Sequence, residues 1–217
     1  MTRKERGFDL IGFALNAWLV LIGLFVLAPL FFVVVNSFNA SSISIFPPAG
    51  FSLRWYKMTL FDTSPYSPAP QFRKGFRNSI VIASGATVLA LLAGILASLA
   101  FVRHRFSGKE ALRSFFLSPL IVPRVVFGTA LFLLYIRIGL YGTISGVMIA
   151  HALLGLPYVL SIITANLLSI DFTTEEAAMD LGANRVQAFL LVTLPQMRVG
   201  LIVAMLFAFI TSFDQVD

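Results

Sequence analysis

Two stretches without a single charged side chain dominate what this chain can become: Leu10 to Leu53, densely apolar up to about Val35, and Asn78 to Val102. A helix rising about 1.5 Å per residue needs roughly 20 residues to cross the hydrocarbon of a bilayer, and each stretch supplies that. A cleavable signal peptide has an apolar core of about 7–15 residues before a small-residue cleavage site. The first stretch instead runs on into Phe31-Phe32-Val33-Val34-Val35 and reads as an uncleaved first span, 9–35. Composition points the same way. With 58% hydrophobic and 12% charged residues in 217, the chain cannot clothe a globule in polar surface, since soluble domains are nearer a quarter charged. A soluble enzyme or a nucleic-acid-binding module is excluded despite the net charge of +6, because basic excess is what the cytoplasmic loops of membrane proteins carry. The chain has no cysteine, which removes disulfides, thiolate metal sites and a cysteine nucleophile.

Five spans are countable. The second, from Asn78, carries Gly85, Ala86, Ala90, Ala93, Gly94 and Ala97, small residues that let helices approach closely in lipid. The third, about Ala111 to Ile136, is interrupted by Pro119, Pro123 and Arg124. The fourth runs from Ile138 to Ile170 with His151 and Pro157 inside it, and the fifth from about Val199 to Phe213. Basic residues orient them. Arg3, Lys4 and Arg6 precede the first span, and Arg103, Arg105, Lys109 and Arg113 crowd the link after the second. The longer segment 36–77 is more dilute in basic residues. The positive-inside rule then places the tail 1–8 and the loops 103–113 and 171–198 in the cytoplasm, and 36–77 and 137–141 outside. Five prolines mark 36–77 as an irregular external cap, with a short helix near Leu53–Leu60.

The loop Asp171 to Arg198 differs from its surroundings. Thr173-Thr174-Glu175-Glu176 fits a capping box, with Thr173 capping a helix and Glu176 reaching back, and acids in the first turn suit the helix dipole. Gly182 allows a bend, Ala183 to Leu191 can form a second short helix, and Pro195 starts the turn into the fifth span. Composition alone describes a well-capped loop helix and no more.

Spacing adds a second reading. Glu176-Ala177-Ala178, three residues, Gly182, nine residues, then Val192-Thr193-Leu194-Pro195 resembles the EAA loop of ATP-binding-cassette importer permeases, with Val192 where that pattern usually has Ile. Shorter stretches are similar to the spermidine/putrescine-type, PotC-like branch: Ser52-Leu53-Arg54-Trp55-Tyr56, Leu117 to Pro123, Ala150-His151 and Ser212-Phe213-Asp214. The resemblance implies an all-α polytopic transmembrane bundle with the type I importer permease (MetI-like) fold. It implies six spans, so the core 78–217 is expected to be truncated at its C-terminus. It also implies a short coupling helix seated in a cleft of a separate ATPase. Glu175, Glu176 and Asp180 would present acidic groups there, Ala177 and Ala178 would permit close approach, Gly182 would set the interhelical angle, and Leu194 and Pro195 would fix the exit. The implied partners are a second homologous permease, a dimer of ATPase subunits holding ATP and Mg, an external solute-binding protein and the bilayer of a bacterial inner membrane. No cofactor or metal is expected on this chain.

Three intramembrane or membrane-edge residues are candidates for the solute pathway. Arg124 in mid-bilayer costs roughly 2.5–3.5 kcal/mol, so it either lines a cavity or sits where Pro119 and Pro123 break the helix and free carbonyls. His151 fits a helix–helix hydrogen bond or a proton relay, and Asp214 fits a pathway mouth or a solvated helix end. Relatives of the polyamine type carry acids near Arg124 and after Asp214, where this chain has Arg124 and Gln215. The expected substrate is therefore a small polar solute, polyamine-type by resemblance, with a zwitterionic or anionic solute such as an organophosphonate as the alternative. A self-sufficient transporter or channel would also have broken helices, but it leaves the loop spacing unexplained. The chain lacks a G-x-x-x-x-G-K-[ST] loop, a Gly-x-Ser-x-Gly elbow and an H-E-x-x-H helix, so its energy source is expected on another subunit and no enzyme role is assigned to it.

Overall fold

A computed structural model describes residues 10–43, 46–64 and 66–215. The expected tail 1–8 and its basic residues lie outside them. The described residues are helical apart from loops and one isolated bridge, Asn39 with Phe51. The chain divides into two compact units, one up to Lys74 and one from Gly75 onward, with the boundary inside a helix.

In the first unit, α1 (Leu10–Ser37) is long and apolar enough to cross a membrane, and none of its most apolar window is buried within the chain. Phe25 is 80% exposed, a state compatible with lipid or another subunit and not with water. The irregular segment that follows is pinned to the end of α1: Ser37 Oγ and Tyr56 Oη share a 2.7 Å hydrogen bond, and Trp55 Nε1 donates to Asn39 O at 2.8 Å. Trp55 and Tyr56 belong to α2 (Arg54–Phe61), the short helix expected near Leu53–Leu60.

The helix α3 (Ala69–Arg103) begins nine residues before the charge-free run and includes Arg73, Lys74 and Arg77. In the second unit it packs with α6 (Ile144–Leu168) and α10 (Arg198–Phe213) around Ala86, Ala90, Ala152, Val159, Ile163, Leu167, Ala204 and Ala208. Small residues set this contact. A Cβ on Gly155 would sit 3.7 Å from Ala208 Cβ and 3.8 Å from Ala90 Cβ, so all three helices meet there. Ser98 Oγ donates to Leu160 O across the α3–α6 seam, and Thr164 donates to Ser98. Polar contacts of this kind hold helices where lipid supplies no hydrophobic drive between them. α6 runs through Pro157 without interruption.

The third and fifth spans differ from simple rods. The third is α4 (Lys109–Leu117), a 3₁₀ turn (Ser118–Leu120) and α5 (Arg124–Ile138), bent by 104°. Pro119 sits in the turn and Pro123 caps α5, where neither needs an amide donor. The fifth is α10 preceded by α8 (Arg185–Ala188), a π-helical turn (Phe189–Thr193) and α9 (Leu194–Gln196), bent by 73° from α10. Among the described residues three helices are thus long and apolar enough to span by themselves, and up to five spans result if each bent pair counts as one.

Candidate functional site

The loop 171–198 folds as two short helices joined by a tight corner. Acids in the first turn and a run of small residues make α7 (Thr173–Asp180). Its start corrects the expected capping box. Thr173 is the first helical residue and gives no side-chain cap, whereas Asp171 Oδ1 accepts from the Thr173 amide at 3.0 Å. That hydrogen bond holds the Asp171 carboxyl below its usual range. The capping box belongs to α8: Asn184 Oδ1 accepts from the Gln187 amide and Gln187 Oε1 from the Asn184 amide, each at 2.9 Å. At the corner Gly182 adopts φ +96°. Its amide donates to Met179 O and the Ala183 amide to Ala178 O, the pair of bonds that closes a helix on a left-handed glycine. Pro195 lies within α9, and the turn comes two residues later, at the fully buried Met197.

Glu175 requires a second correction. Expected to present its charge outward, it is buried, and Arg103 at the end of α3 grips it with both nitrogens: Nη1 donates to Oε1 at 2.8 Å and Nη2 to Oε2 at 2.5 Å. The Thr193 hydroxyl also donates to Oε2. Burial by itself pushes this carboxyl up, but the hydrogen bonds from Arg103 and Thr193 and the charge of Arg103 outweigh it, so Glu175 sits below its usual range. Glu176, Ala177 and Asp180 are exposed, Ala178 and Leu194 half-buried, and Leu181 is 90% exposed. The outward face of α7 is therefore acidic, small-sided and bordered by a bare leucine.

The pathway candidates are only partly together. Arg124 is the first residue of α5, just after the break, and its side chain borders two cavities of about 550 and 130 Å³. The break at Pro119 and Pro123 comes just before it, and its side chain reaches the cavity lining. It shares the smaller cavity with Leu154 and Tyr158, which lie roughly 15–21 Å along the ~37 Å length of α6, about midway along that helix. His151 borders the larger cavity and shares a 2.8 Å hydrogen bond between Nδ1 and Ser212 Oγ, tying α6 to α10. Asp214, the C-cap of α10, is exposed and lines neither cavity; Gln215, one residue on, lines both. Tyr135 was not anticipated from the sequence: it is buried at the larger cavity, and its hydroxyl has no hydrogen-bond partner among the described residues. Among the described residues no group of three or more His, Cys, Asp or Glu converges as a metal site.

A bundle of lipid-compatible helices with two sharply bent helix pairs, a cavity midway along α6 and a folded polar loop is the architecture of a polytopic membrane protein. The particular family follows from comparison. The model for "Binding-protein-dependent transport system inner membrane component" matches residues 86–216, and the chain belongs to that family, the inner-membrane permeases of ATP-binding-cassette importers. It is 32% identical over 198 residues to the putrescine transport system permease protein PotI of Escherichia coli (strain K12), covering 88% of this chain and 67% of that one. It is 30% identical over 204 residues to the spermidine/putrescine transport system permease protein PotC of Haemophilus influenzae, covering 94% and 76%. The fold matches a chain of a bacterial ABC transporter involved in the import of the acidic polysaccharide alginate, with TM-score 0.68 and 18% identity over 98% of this chain and 74% of that one. Its role is that of a permease subunit, multi-pass in the inner membrane.

Proposed function

We propose that this chain is one half of the solute pathway of a binding-protein-dependent importer, and that the loop 171–198 couples it to a separate ATPase. The outward face of α7 carries this reading: Glu176, Ala177, Asp180 and Leu181 stand exposed on a helix whose ends are both fixed by hydrogen bonds. Gly182 sets the corner, Leu194 and Pro195 lie in the short helix α9, and the turn at Met197 makes the exit. A second permease supplies the other wall of the cavity, an external binding protein delivers the solute, and ATP with Mg binds the ATPase pair. The N-terminus and the loops 103–113 and 171–198 face the cytoplasm. Purifying the tagged chain from its native membrane and identifying its companions by mass spectrometry tests this. An ATPase whose recovery falls when Glu176 or Asp180 is replaced supports the assignment; an ATPase recovered equally from both variants contradicts it.

Kinship with the putrescine and spermidine/putrescine permeases makes a polyamine the first substrate to try. Arg124 favours a second reading. Among the described residues no carboxylate pairs with it, and none lines either cavity it borders. A dication passing Arg124 would meet repulsion, whereas the anionic group of a zwitterionic solute such as an aminoalkylphosphonate would be drawn in. Uptake of labelled spermidine and of labelled 2-aminoethylphosphonate by vesicles holding the assembled importer separates the two. Uptake of the phosphonate that disappears in Arg124→Ala favours the anionic reading; uptake of spermidine alone favours the polyamine.

A further inference from the structure

The Arg103–Glu175 contact is the only ion pair among the described residues, and it joins segments 72 positions apart. Three features make it stiff. The guanidinium fork meets the carboxylate through two parallel bonds, which fixes angle as well as distance. The same guanidinium lies over two aromatic rings, 5.2 Å from the centroid of Phe172 and 5.7 Å from that of Phe189, one ring on each side of α7 in the chain. Oε2 of Glu175 is held a second time by Thr193, itself 1% exposed, in the π-helical turn. Glycine, loop and bend interrupt every backbone route out of α7: residues 169–172 on the α6 side, Gly182 to Asn184 on the α8 side, and the 73° bend at Met197 before α10. Side chains, not backbone, form the rigid path from α7 to the packed helices.

We propose that Arg103, Glu175 and Thr193 are a positioning linkage that makes α7 and the adjoining end of α3 move as one body. A displacement delivered to the outer face of α7 then reaches the α3–α6–α10 contact instead of being absorbed as a pivot of the loop. Glu175 and Glu176, adjacent in the chain, divide the work: the first transmits inward and the second faces the partner. The linkage rests on the reading that α7 meets an ATPase, and its test separates the two.

The chain has no native cysteine, so single cysteines at His104 and Asp180 accept spin labels at the end of α3 and on α7 without background. In vesicles holding the full chain without any ATPase, the parent gives a narrow interlabel distance distribution. Glu175→Gln, which keeps the shape and drops the charge, broadens it, and Thr193→Val broadens it less. In the assembled importer Glu175→Gln keeps its ATPase partner and its ATP hydrolysis, while solute moved per ATP falls about tenfold, within the range usual for coupling between distant sites. Arg103→Lys, with charge but no fork, restores little of it. An unchanged distribution in Glu175→Gln overturns the linkage, as does full transport per ATP in that variant. Should Glu175→Gln fail to accumulate in membranes, Thr193→Val decides by the same two readouts. A broadened distribution in a chain that recruits no ATPase leaves the linkage standing and removes the coupling role assigned to α7.

Discussion

Replacing Gly182 separates two reasons a loop can need glycine. At φ +96° a side-chain-bearing residue is strained, at a cost on the order of 1–3 kcal/mol, while a Cβ built there meets no heavy atom within 4 Å. The penalty is therefore conformational and independent of side-chain size within this chain. Gly182→Ala and Gly182→Leu should be about equally damaging, and Gly182→Asn milder, because asparagine tolerates the left-handed region and is the next most frequent residue at such helix ends. The strain falls on the two bonds that close α7, Gly182 N to Met179 O and Ala183 N to Ala178 O. Opening them more readily by that energy lowers amide protection at the corner by about tenfold to a hundredfold. Hydrogen–deuterium exchange of the peptide covering 177–190, measured on the purified chain and its three variants, reads this directly. A loss graded by size, with Ala near the parent and Leu severe, would refute the conformational argument.

Two further perturbations test other parts of the molecule. A Cβ on Gly94 would fall 2.5 Å from Cγ1 and 3.0 Å from Cβ of the fully buried Val159, so Gly94→Leu should destabilise the α3–α6 contact by about 1–3 kcal/mol, seen as a lower midpoint in thermal unfolding in detergent. Gly23→Leu in α1, with nothing within 4 Å, is the matched control and should leave the midpoint unchanged. The depressed pKa of Glu175 sets the sign of a pH response: a carboxyl held below its unfolded value stabilises the fold above that value, and the contribution disappears as pH falls through the folded one. The interlabel distribution between positions 104 and 180 should thus stay narrow from about pH 8 to about pH 5 and broaden only below the ordinary glutamate range near 4. Broadening in the neutral range would show that a different group holds the loop.

Span placement was legible because lipid imposes one rule on every segment. Charge-free length marked α1 and α6 to within about two turns, whereas α3 starts nine residues before its charge-free run and takes in Arg73, Lys74 and Arg77. The third and fifth spans were harder. Pro119 and Pro123 announced a break, but a composition window cannot say whether chain direction changes by 20° or by 104°. The loop was legible by spacing at Gly182, where only backbone conformation is at stake. The cap of α7 was misassigned because Asp171 and Thr173 both qualify as caps, and the choice turned on which one lies outside the first turn. For Asp214 the sequence left a pathway mouth and a solvated helix end both open, because past the end of a helix the facing of adjacent residues is set by the cap; here Asp214 is exposed at the C-cap and the cavity takes Gln215.

Glu175 and Glu176 show where local reading ends. Both are acids in the first turn of one helix, both complement its dipole, and about 100° of helix rotation separates them. Nothing in that first turn distinguishes their fates. The distinction comes from Arg103, which in the sequence is one of four basic residues in a short link and counts only toward topology. Folding brings it to the inner face of α7 and leaves Arg105, Lys109 and Arg113 unpaired with any acid among the described residues. Burial of a carboxylate is tolerable only where its charge is matched and its remaining lone pairs are satisfied, and Arg103 with Thr193 meets both conditions at Glu175 alone. The acid that the motif singles out, Glu176, is thereby left to the outer surface, and the acid outside the motif becomes structural. On the proposed roles, removing both glutamates together would merge two distinct losses, one of contact with a partner and one of stiffness within the subunit, and only the single replacements can tell them apart.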